Sequence, residues 1–362
     1  MDLEELRARL SELDRRILDA VAERQAVVDR IGEVKRDSGK ATRDFAREKQ
    51  VLDTARVSAR ELGIPPVLAE ALMELLIRSS LTKQERARVR AEGEGRGRRA
   101  LVIGGAGRMG LWFVDFLASQ GFDVTVADPA GAIEGFPHVE DWRQTGNDFD
   151  VTVVAAPIGV SAGILEAMAE MPRSGLIFDV GSLKSPLEGP LRRLAAAGAR
   201  VTSMHPMFGP DTELLSGRHV LFLEVGVPDA TAEARRLFAS TMAQQIEMDL
   251  EHHDRLIAYV LGLSHALNIA FFTALAKSGE KVPKLAELSS TTFDAQLDVA
   301  NKVAAESPQL YFEIQAGNPH GLSTLRELAD AVDEVTQLVE SGDEAGFVEL
   351  MDQGRRYLAS RR

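Results

Sequence analysis

The sequence predicts a multidomain protein, in which an all-α domain is followed by a doubly wound α/β domain with a parallel sheet and then by a second all-α domain. Its 362 residues correspond to two or three domains of about 100–200 residues. Helical periodicity fills the first part, β-rich runs alternate with helical runs after residue 100, and the β-rich runs stop near residue 251. We therefore place domains at 1–92, 100–250 and 251–362, with a linker at 93–99.

Composition narrows the class of protein. Hydrophobic residues make up 45% of the chain and charged residues 27%, and no run of 18 uncharged apolar residues occurs, so neither a disordered nor a membrane-spanning protein is expected. The N-terminus lacks the basic and apolar blocks of a secretion signal, and cysteine is absent. A net charge of −13 disfavours nucleic acid and anionic membranes as partners. We predict a soluble cytoplasmic protein.

The first domain is predicted to contain three helices. Apolar residues recur three or four apart from Leu3 to about Val34, which predicts a first helix that Gly39 interrupts. A second helix is predicted from about Arg43 to Leu62, and Pro65-Pro66 begins a third helix. So long a first helix has few neighbours in about 90 residues, so a second copy of the domain is expected to cover its apolar stripe. The sequence thus predicts a homodimer.

Basic side chains on the first helix suggest a site for an anion. Arg24 and Lys35 are 11 residues apart, which places them within about 20° of one helix face and about 16 Å apart along the axis. Arg7 lies about 25 Å from Arg24, so it can serve such a site only in a partner subunit. Further polar residues share faces of the other helices: Asp44, Arg47 and Glu48 on the second, and Ser80 and Gln84 on the third. Singly, each would be an ordinary surface residue.

Together these residues resemble the all-helical chorismate mutase family over about residues 3–86. The matching segments, in order, are Leu6-Arg7, Leu13-Asp14, Ala22-Glu23-Arg24, Lys35, Arg43-Asp44-Phe45-Ala46-Arg47-Glu48 and Ser80-Leu81-Thr82-Lys83-Gln84. The resemblance implies rearrangement of chorismate to prephenate, a pericyclic reaction that needs positioning and electrostatics but no nucleophile.

The resemblance also implies three groups of substrate contacts. The substrate carboxylates would be clamped by guanidinium groups: Arg24, Arg47 and Arg7 of the partner subunit. The ether oxygen, where negative charge grows, would accept hydrogen bonds from Lys35 and Gln84. The ring hydroxyl would be held by Glu48, Asp44 and Ser80.

A glycine-rich turn follows the first predicted strand, Ala100–Ile103. Gly105, Gly107 and Gly110 form a G-x-G-x-x-G motif between this strand and a helical run, which is the context of a dinucleotide site. Asp128 ends the next strand and could bind both ribose hydroxyls, and no Arg or Lys before Arg143 could hold a 2′-phosphate, so NAD is favoured over NADP. The predicted cofactor contacts are Gly105, Ala106, Gly107, Arg108, Met109, Gly110, Asp128 and Pro157.

His205 is the strongest candidate for a general base. It is the only histidine directly after a predicted strand of the sheet, Val201–Ser203, and ligands of open α/β sheets bind at the carboxyl ends of strands. Imidazole exchanges a proton near neutral pH, although a structural histidine in a turn remains the alternative. No ligand set around His252, His253 or His265 suggests a metal, and none is predicted.

This second part of the chain resembles prephenate dehydrogenases, and the domain order resembles that of bifunctional chorismate mutase/prephenate dehydrogenases of tyrosine biosynthesis. The match includes Asp179–Lys184, His205–Asp211, Glu251-His252-His253-Asp254, Ser264-His265, Leu288-Ser289-Ser290 and Ser307–Tyr311. It implies oxidative decarboxylation of prephenate to 4-hydroxyphenylpyruvate. His205 would accept the C4 hydroxyl proton, and Ser182 would orient that hydroxyl. His265 and Lys302 would contact the substrate.

Two positions depart from the family. Lys302 and Asp294 stand where the family usually has arginines, and an acid weakens a site for anions. Asp294 can be an exposed residue without a role. It can also indicate a substrate that bears an amino group, such as arogenate or 4-amino-4-deoxyprephenate. A non-catalytic sensor of an aromatic metabolite is the alternative from another class, although mere binding needs no base.

Overall fold

The computed structural model describes residues 2–171 and 173–360 of the chain. These residues form two compact units. The first contains residues 1–156, 163–181 and 190–248, and the second contains residues 157–162, 182–189 and 249–362. The N-terminal helices and the β-sheet thus share one unit, and the C-terminal helices form most of the other.

Three helices form the N-terminal domain, as predicted: α1 (Leu3–Asp37), α2 (Phe45–Leu62) and α3 (Pro66–Glu92). Asp2 and Glu5 form a reciprocal capping box at the start of α1. Gly63 ends α2 with a φ of 72°, a left-handed conformation that glycine adopts without strain. Helix α3 packs against both α1 and α2.

The apolar stripe of α1 is exposed in the single chain. Among the described residues of this helix, only Val28 and Gly32 are buried. Its exposed large apolar residues are Leu3, Leu6, Leu10, Leu13, Ile17, Leu18, Val27, Ile31 and Val34. An apolar surface of this extent is typical of a protein interface.

The sheet has eight strands: β1 (Arg99–Ile103), β2 (Asp123–Ala127), β3 (His138–Val139), β4 (Val151–Val154), β5 (Leu176–Asp179), β6 (Arg200–Pro206), β7 (His219–Leu223) and β8 (Gln244–Met248). Their order is β3-β2-β1-β4-β5-β6-β7-β8. The predicted parallel sheet is confirmed, with one exception: β7 runs antiparallel to β6. The chain between them contains no helix, and a parallel connection normally needs one.

Helices of the α/β domain include α4 (Arg108–Ser119), α5 (Ile158–Glu170), α6 (Ser185–Ala196) and α7 (Pro228–Arg236). The core between sheet and helices contains several fully buried aromatic rings, among them Phe113, Phe178, Phe222 and Phe238. The sequence missed β3 and β8, because β3 has two residues and β8 is a largely polar edge strand.

Residues 93–99, which the composition predicts to be a linker, pack closely against this domain. The backbone N–H of Gly95 donates to the carbonyl of Gln120 at 3.1 Å. A Cβ atom at Gly95 would lie 2.4 Å from the Phe122 ring, so only glycine fits there. The N-terminal helices are therefore joined to the sheet by a tightly packed segment.

The second unit is largely helical. It contains α8 (Leu250–Ile257), a π-helical turn (Ala258–Leu263), α9 (Ser264–Lys277), α10 (Val282–Glu287), α11 (Thr291–Ala304), α12 (Pro308–Gly317), α13 (Gly321–Ser341) and α14 (Glu344–Ala359). The described residues thus form seven α-helices in this part of the chain. The continuous helical stretch Leu250–Lys277 has the length and composition of a membrane-spanning helix, with a mean hydropathy of 1.6.

Candidate active sites

The first candidate site lies between α1 and α3. Arg24 donates from one guanidinium nitrogen to Ser80 Oγ at 2.6 Å and to the Leu76 carbonyl at 3.1 Å. Ser80 is buried and also donates to the Leu76 carbonyl. This face of α1 continues through the buried residues Val28 and Gly32 towards Lys35. The structure thus brings Arg24 and Ser80 together, a contact between two helices that the spacing within each helix did not specify.

Gln84 lies one helical turn after Ser80 and is also buried. A Cβ atom on Gly32 would lie 3.3 Å from Gln84 Cγ, so α1 approaches Gln84 closely. The Gln84 side-chain oxygen is buried without a hydrogen-bond partner. A buried amide oxygen without a partner needs an explanation, and a bound ligand would supply one. Half-buried Lys35 donates from Nζ to the Thr42 carbonyl at 2.6 Å.

The polar residues of α2 have structural partners. Asp44 caps the helix by accepting from the Arg47 backbone N–H at 3.0 Å, and Arg47 is exposed and donates to Gln50. Glu48 is held by Arg43 through two hydrogen bonds of 2.9 Å each. In the free protein, the Glu48 carboxylate is therefore oriented by Arg43. Arg7 is exposed on α1.

The second candidate site starts at the glycine-rich turn between β1 and α4. A Cβ atom on Gly110 would lie 2.0 Å from the Gly104 carbonyl oxygen, and one on Gly105 would lie 2.8 Å from Val126. Ala106 and Gly107 are exposed, and no side chain caps α4 at its N-terminus. An open glycine turn at an uncapped helix N-terminus fits a dinucleotide pyrophosphate.

Asp128 follows β2 and is buried beside this turn. Its carboxylate accepts the backbone N–H of Ala106 at 2.9 Å and that of Ala130 at 2.8 Å. Each carboxylate oxygen accepts more than one hydrogen bond, so capacity for ribose hydroxyls remains. Arg108 forms an exposed ion pair of 3.1 Å with Asp211. Met109 is half-buried at the start of α4.

His205 lies within β6, which is longer than the predicted strand, and it is buried. Two residues earlier, Ser203 donates from Oγ to Asp179 at 2.5 Å. The other Asp179 oxygen accepts the backbone N–H of Gly181 at 2.9 Å. Asp179 thus fixes the carboxyl ends of β5 and β6, where His205 and the residues after Asp179 are found.

In the second unit, a buried carboxylate organises the segment that contains Ser182. Asp254 accepts the backbone N–H groups of Lys184 at 2.9 Å and Ser185 at 2.6 Å, and the Ser185 hydroxyl donates to it as well. His253 contacts the same carboxylate through Nδ1 at 2.7 Å. Burial opposes ionisation, but these hydrogen bonds outweigh it and lower the pKa of Asp254. Half-buried Ser182 lies two residues before this anchor.

We expect Asp254→Asn to lower the free energy of unfolding at pH 7 by about 3 kcal/mol, because an amide cannot accept all of these hydrogen bonds. The folded-state pKa is lowered, so the advantage of the aspartate is present above its ordinary pKa and is lost as the pH falls through the folded-state value. Urea denaturation at pH 7 and in acid measures this. Asp249→Asn, at an exposed helix cap, is the matched control, and equal losses for both variants would contradict the prediction.

His265 lies on α9, with its ring stacked 4.1 Å from that of Tyr311. Burial lowers the pKa of His265, and its Nδ1 atom has no hydrogen-bond partner. Lys302 is exposed on α11. Asp294 is exposed in the first turn of the same helix, where it accepts a hydrogen bond from Ser289. Pro157 is exposed at the start of α5.

Several polar residues form anchoring contacts that were not predicted from the sequence. They are Arg43, Ser216, Glu85, Asp179 and Asp254. Each one bonds a residue distant in sequence or a backbone N–H group, so local spacing carries no signal for it. In the described residues, no cluster of three or more histidine or acidic side chains is arranged to hold a metal.

Comparison with known families gives three matches along the chain. Residues 6–85 match chorismate mutase type II. Residues 135–228 match the nucleotide-binding domain of prephenate dehydrogenase, and residues 249–353 match its dimerization domain. The matches follow the order predicted from the sequence.

Individual relatives agree with this order. A T-protein of Enterobacter agglomerans is 27% identical over 96% of this chain and 90% of its own length. A 4-amino-4-deoxyprephenate dehydrogenase of Streptomyces pristinaespiralis is 32% identical over 72% of this chain and 91% of its own length. The crystal structure of prephenate dehydrogenase from A. aeolicus with hydroxyphenyl propionate and NAD+ aligns with a TM-score of 0.56, at 18% identity over 73% of this chain and 98% of that chain. That structure supports the fold of the part of this chain that it covers.

Proposed function

The chain belongs to the prephenate dehydrogenase family and carries a type II chorismate mutase domain, and on that premise we propose that it makes 4-hydroxyphenylpyruvate from chorismate in two steps. The mutase site rearranges chorismate to prephenate, and the dehydrogenase site oxidises and decarboxylates prephenate with NAD, on the route to tyrosine. The observation that carries this proposal is that two chemically different sets of residues occur in one chain, each in the domain expected to use it.

At the mutase site, the residues act by position and charge. Arg24 is half-buried and its guanidinium is held by Ser80, so it can bind a substrate carboxylate without large rearrangement. The side-chain Nε2 group of Gln84 and the ammonium of Lys35 can donate to the ether oxygen as the C–O bond breaks. Hydrogen bonds that strengthen as charge develops lower the barrier directly.

The residues of α2 complete the mutase site in this proposal. Glu48, oriented by Arg43, holds the ring hydroxyl of chorismate. Exposed Arg47 turns towards a substrate carboxylate, for which it exchanges its hydrogen bond to Gln50. Asp44 keeps its place as the cap of α2 and adds negative charge near the hydroxyl.

At the dehydrogenase site, the glycine turn and the N-terminus of α4 would hold the pyrophosphate of NAD, and Asp128 would hold its ribose. When bound, NAD supplies the hydride acceptor for C4 of prephenate. His205 accepts the proton of the C4 hydroxyl, which lets the carbonyl form. The carboxylate on the ring then leaves as CO2, and aromatisation drives the reaction. The resemblance to the family would give Ser182 the role of orienting the hydroxyl, and His265 and Lys302 the role of contacting the substrate.

The surroundings of Asp294 give no support for a substrate that bears an amino group. Asp294 lies in the first turn of α11, where an acidic side chain stabilises the helix dipole, and Ser289 is bonded to it. A local structural role therefore accounts for this residue. Positively charged Lys302 supports an anionic substrate.

A substrate comparison tests this assignment. We expect prephenate with NAD to give a higher kcat/KM than arogenate or 4-amino-4-deoxyprephenate, and NAD to exceed NADP. A clear preference for either amino-bearing acid would reject the assigned substrate and leave the assigned fold and cofactor site intact.

We further propose that the protein is a cytoplasmic homodimer. The exposed apolar stripe of α1 would be covered by a second copy, and Arg7 would enter the partner's mutase site. The apolar stretch Leu250–Lys277 lies within the match to a dimerization domain, which supports a protein interface as the role of its exposed residues. A cysteine-free composition suits a reducing compartment.

Subunit complementation tests the role of Arg7. Arg7→Ala and Lys35→Ala should each abolish most mutase activity. In their mixed dimers, one of the two sites would contain wild-type residues at both positions, so random mixing should restore about a quarter of wild-type activity.

The control mixes Lys35→Ala with Gln84→Ala. Lys35 and Gln84 of one site come from the same subunit. Each site of a mixed dimer therefore lacks one of them, and activity should stay low. Coexpression ensures that subunits mix. If the Arg7→Ala and Lys35→Ala mixture shows no recovery, Arg7 does not act in the partner's site.

A further inference from the structure

We propose that the nucleotide-binding domain contributes a positioning residue, Ser216, to the mutase site. This inference rests on the proposed function. Ser216 would act through Arg43, which orients the Glu48 carboxylate, so that mutase catalysis depends on a contact from the neighbouring domain of the same chain.

The contacts of Arg43 connect Ser216 to the Glu48 carboxylate. Its Nε and one terminal nitrogen donate to the two Glu48 oxygens, at 2.9 Å each. The other terminal nitrogen donates to Ser216 Oγ at 2.7 Å. The guanidinium also lies over the Phe45 ring, 4.3 Å from its centroid. A bidentate arginine–carboxylate pair fixes the plane of both groups, so the hydroxyl that holds Arg43 also sets the direction of Glu48.

The chain that carries Ser216 is itself anchored to the mutase helix α3. Glu85 accepts the backbone N–H of Leu215 at 2.8 Å and also that of Met242. Glu85 is only 3% exposed, and burial raises its pKa despite these two hydrogen bonds. Leu215 is buried in the same core cluster as Val89 of α3. Ser216 is therefore held in place by buried contacts on its N-terminal side, unlike a residue of a free loop.

A second mutase residue depends on the same short segment. Lys35 donates to the carbonyl of Thr42, the residue before Arg43. Thr42 is buried, and its hydroxyl accepts from Arg88 of α3 at 3.4 Å. The segment Thr42-Arg43 thus contacts both Lys35 and Glu48, and Ser216 is its contact with the nucleotide-binding domain.

A double-mutant cycle tests the proposal in the full-length protein. Ser216→Ala should lower mutase kcat/KM for chorismate roughly fivefold, less than the loss of a direct hydrogen bond to a charged group, because Ser216 acts through Arg43. Dehydrogenase activity with added prephenate should stay within about twofold, which shows that the protein is folded. In a Glu48→Gln background, the same Ser216 substitution should have little further effect, because Ser216 acts through the carboxylate.

Two variants sharpen the test. Ser216→Thr retains the hydroxyl and should restore most of the lost mutase activity. Ser174→Ala removes an exposed hydroxyl of the same domain that bonds only the Asn147 carbonyl, and it should change neither activity.

The proposal is overturned if Ser216→Ala leaves mutase activity unchanged, if it acts equally in both backgrounds, or if Glu48→Gln is itself without effect. A wild-type protein that does not consume chorismate would instead reject the proposed function. The two failures are therefore distinguishable.

Discussion

His205→Asn is expected to lower the dehydrogenase kcat with prephenate by about 10²- to 10⁴-fold, the usual contribution of a general base. Asparagine is similar in size and polar, so it can keep some of the contacts of this buried position, but it cannot accept the hydroxyl proton. The measurement is NADH formation with saturating prephenate and NAD.

Mutase activity is the internal control for this variant. His205 lies in β6, in the sheet, whereas the mutase residues lie on α1, α2 and α3, so chorismate consumption should remain within about twofold of wild type. Loss of both activities in a folded protein would contradict separate sites. Retention of NADH formation would remove His205 from the reaction.

Lys35→Ala is expected to have the opposite effect, with mutase kcat lowered by about 10²- to 10³-fold and dehydrogenase activity unchanged. Removal of one preorganised donor at a developing negative charge commonly has an effect of this size. The substitution also removes the hydrogen bond from Lys35 to the Thr42 carbonyl. Chorismate disappearance at saturating substrate measures the loss.

Lys40→Ala is the matched control for Lys35→Ala. Lys40 is an exposed lysine shortly after α1, so its removal changes the net charge equally without removing any residue assigned to the mutase site. A similar loss in both variants would mean that general positive charge, and not the position of Lys35, matters. Equal loss of dehydrogenase activity would contradict the assignment as well.

Much of the fold could be predicted because its signals are local. The apolar spacing of α1, the Pro66 start of α3 and the Gly63 end of α2 each lie within a few residues of the feature they specify. Strand β7 shows the limit. Its direction depends on the absence of a helix between it and β6, and alternation of strand and helix elsewhere suggested a parallel strand.

In the candidate sites as well, features encoded by local spacing could be predicted and contacts between distant residues could not. Helix spacing placed Arg24 and Lys35 on one face of α1, and Ser80 and Gln84 on one face of α3. The 2.6 Å hydrogen bond between Arg24 and Ser80 joins two helices and was not predicted. The Arg43–Ser216 hydrogen bond joins residues 173 positions apart, and no periodicity encodes such a contact. The backbone groups bonded by Asp254 were unpredictable for the same reason.

Exposed residues are the hardest to interpret from sequence. Arg7 and Lys302 carry no contact that separates them from ordinary surface cations, so only their resemblance to a family assigns them a role. The expected partner subunit for Arg7 is likewise inferred from an exposed apolar stripe. Complementation between variants measures what a single chain cannot show.

The most direct measurement supplies chorismate and NAD to one purified preparation and follows chorismate, NADH and phenolic product together. Our account predicts one 4-hydroxyphenylpyruvate and one NADH for each chorismate consumed, without any added enzyme. Chorismate that persists, or prephenate that accumulates while NADH stays absent, would contradict it.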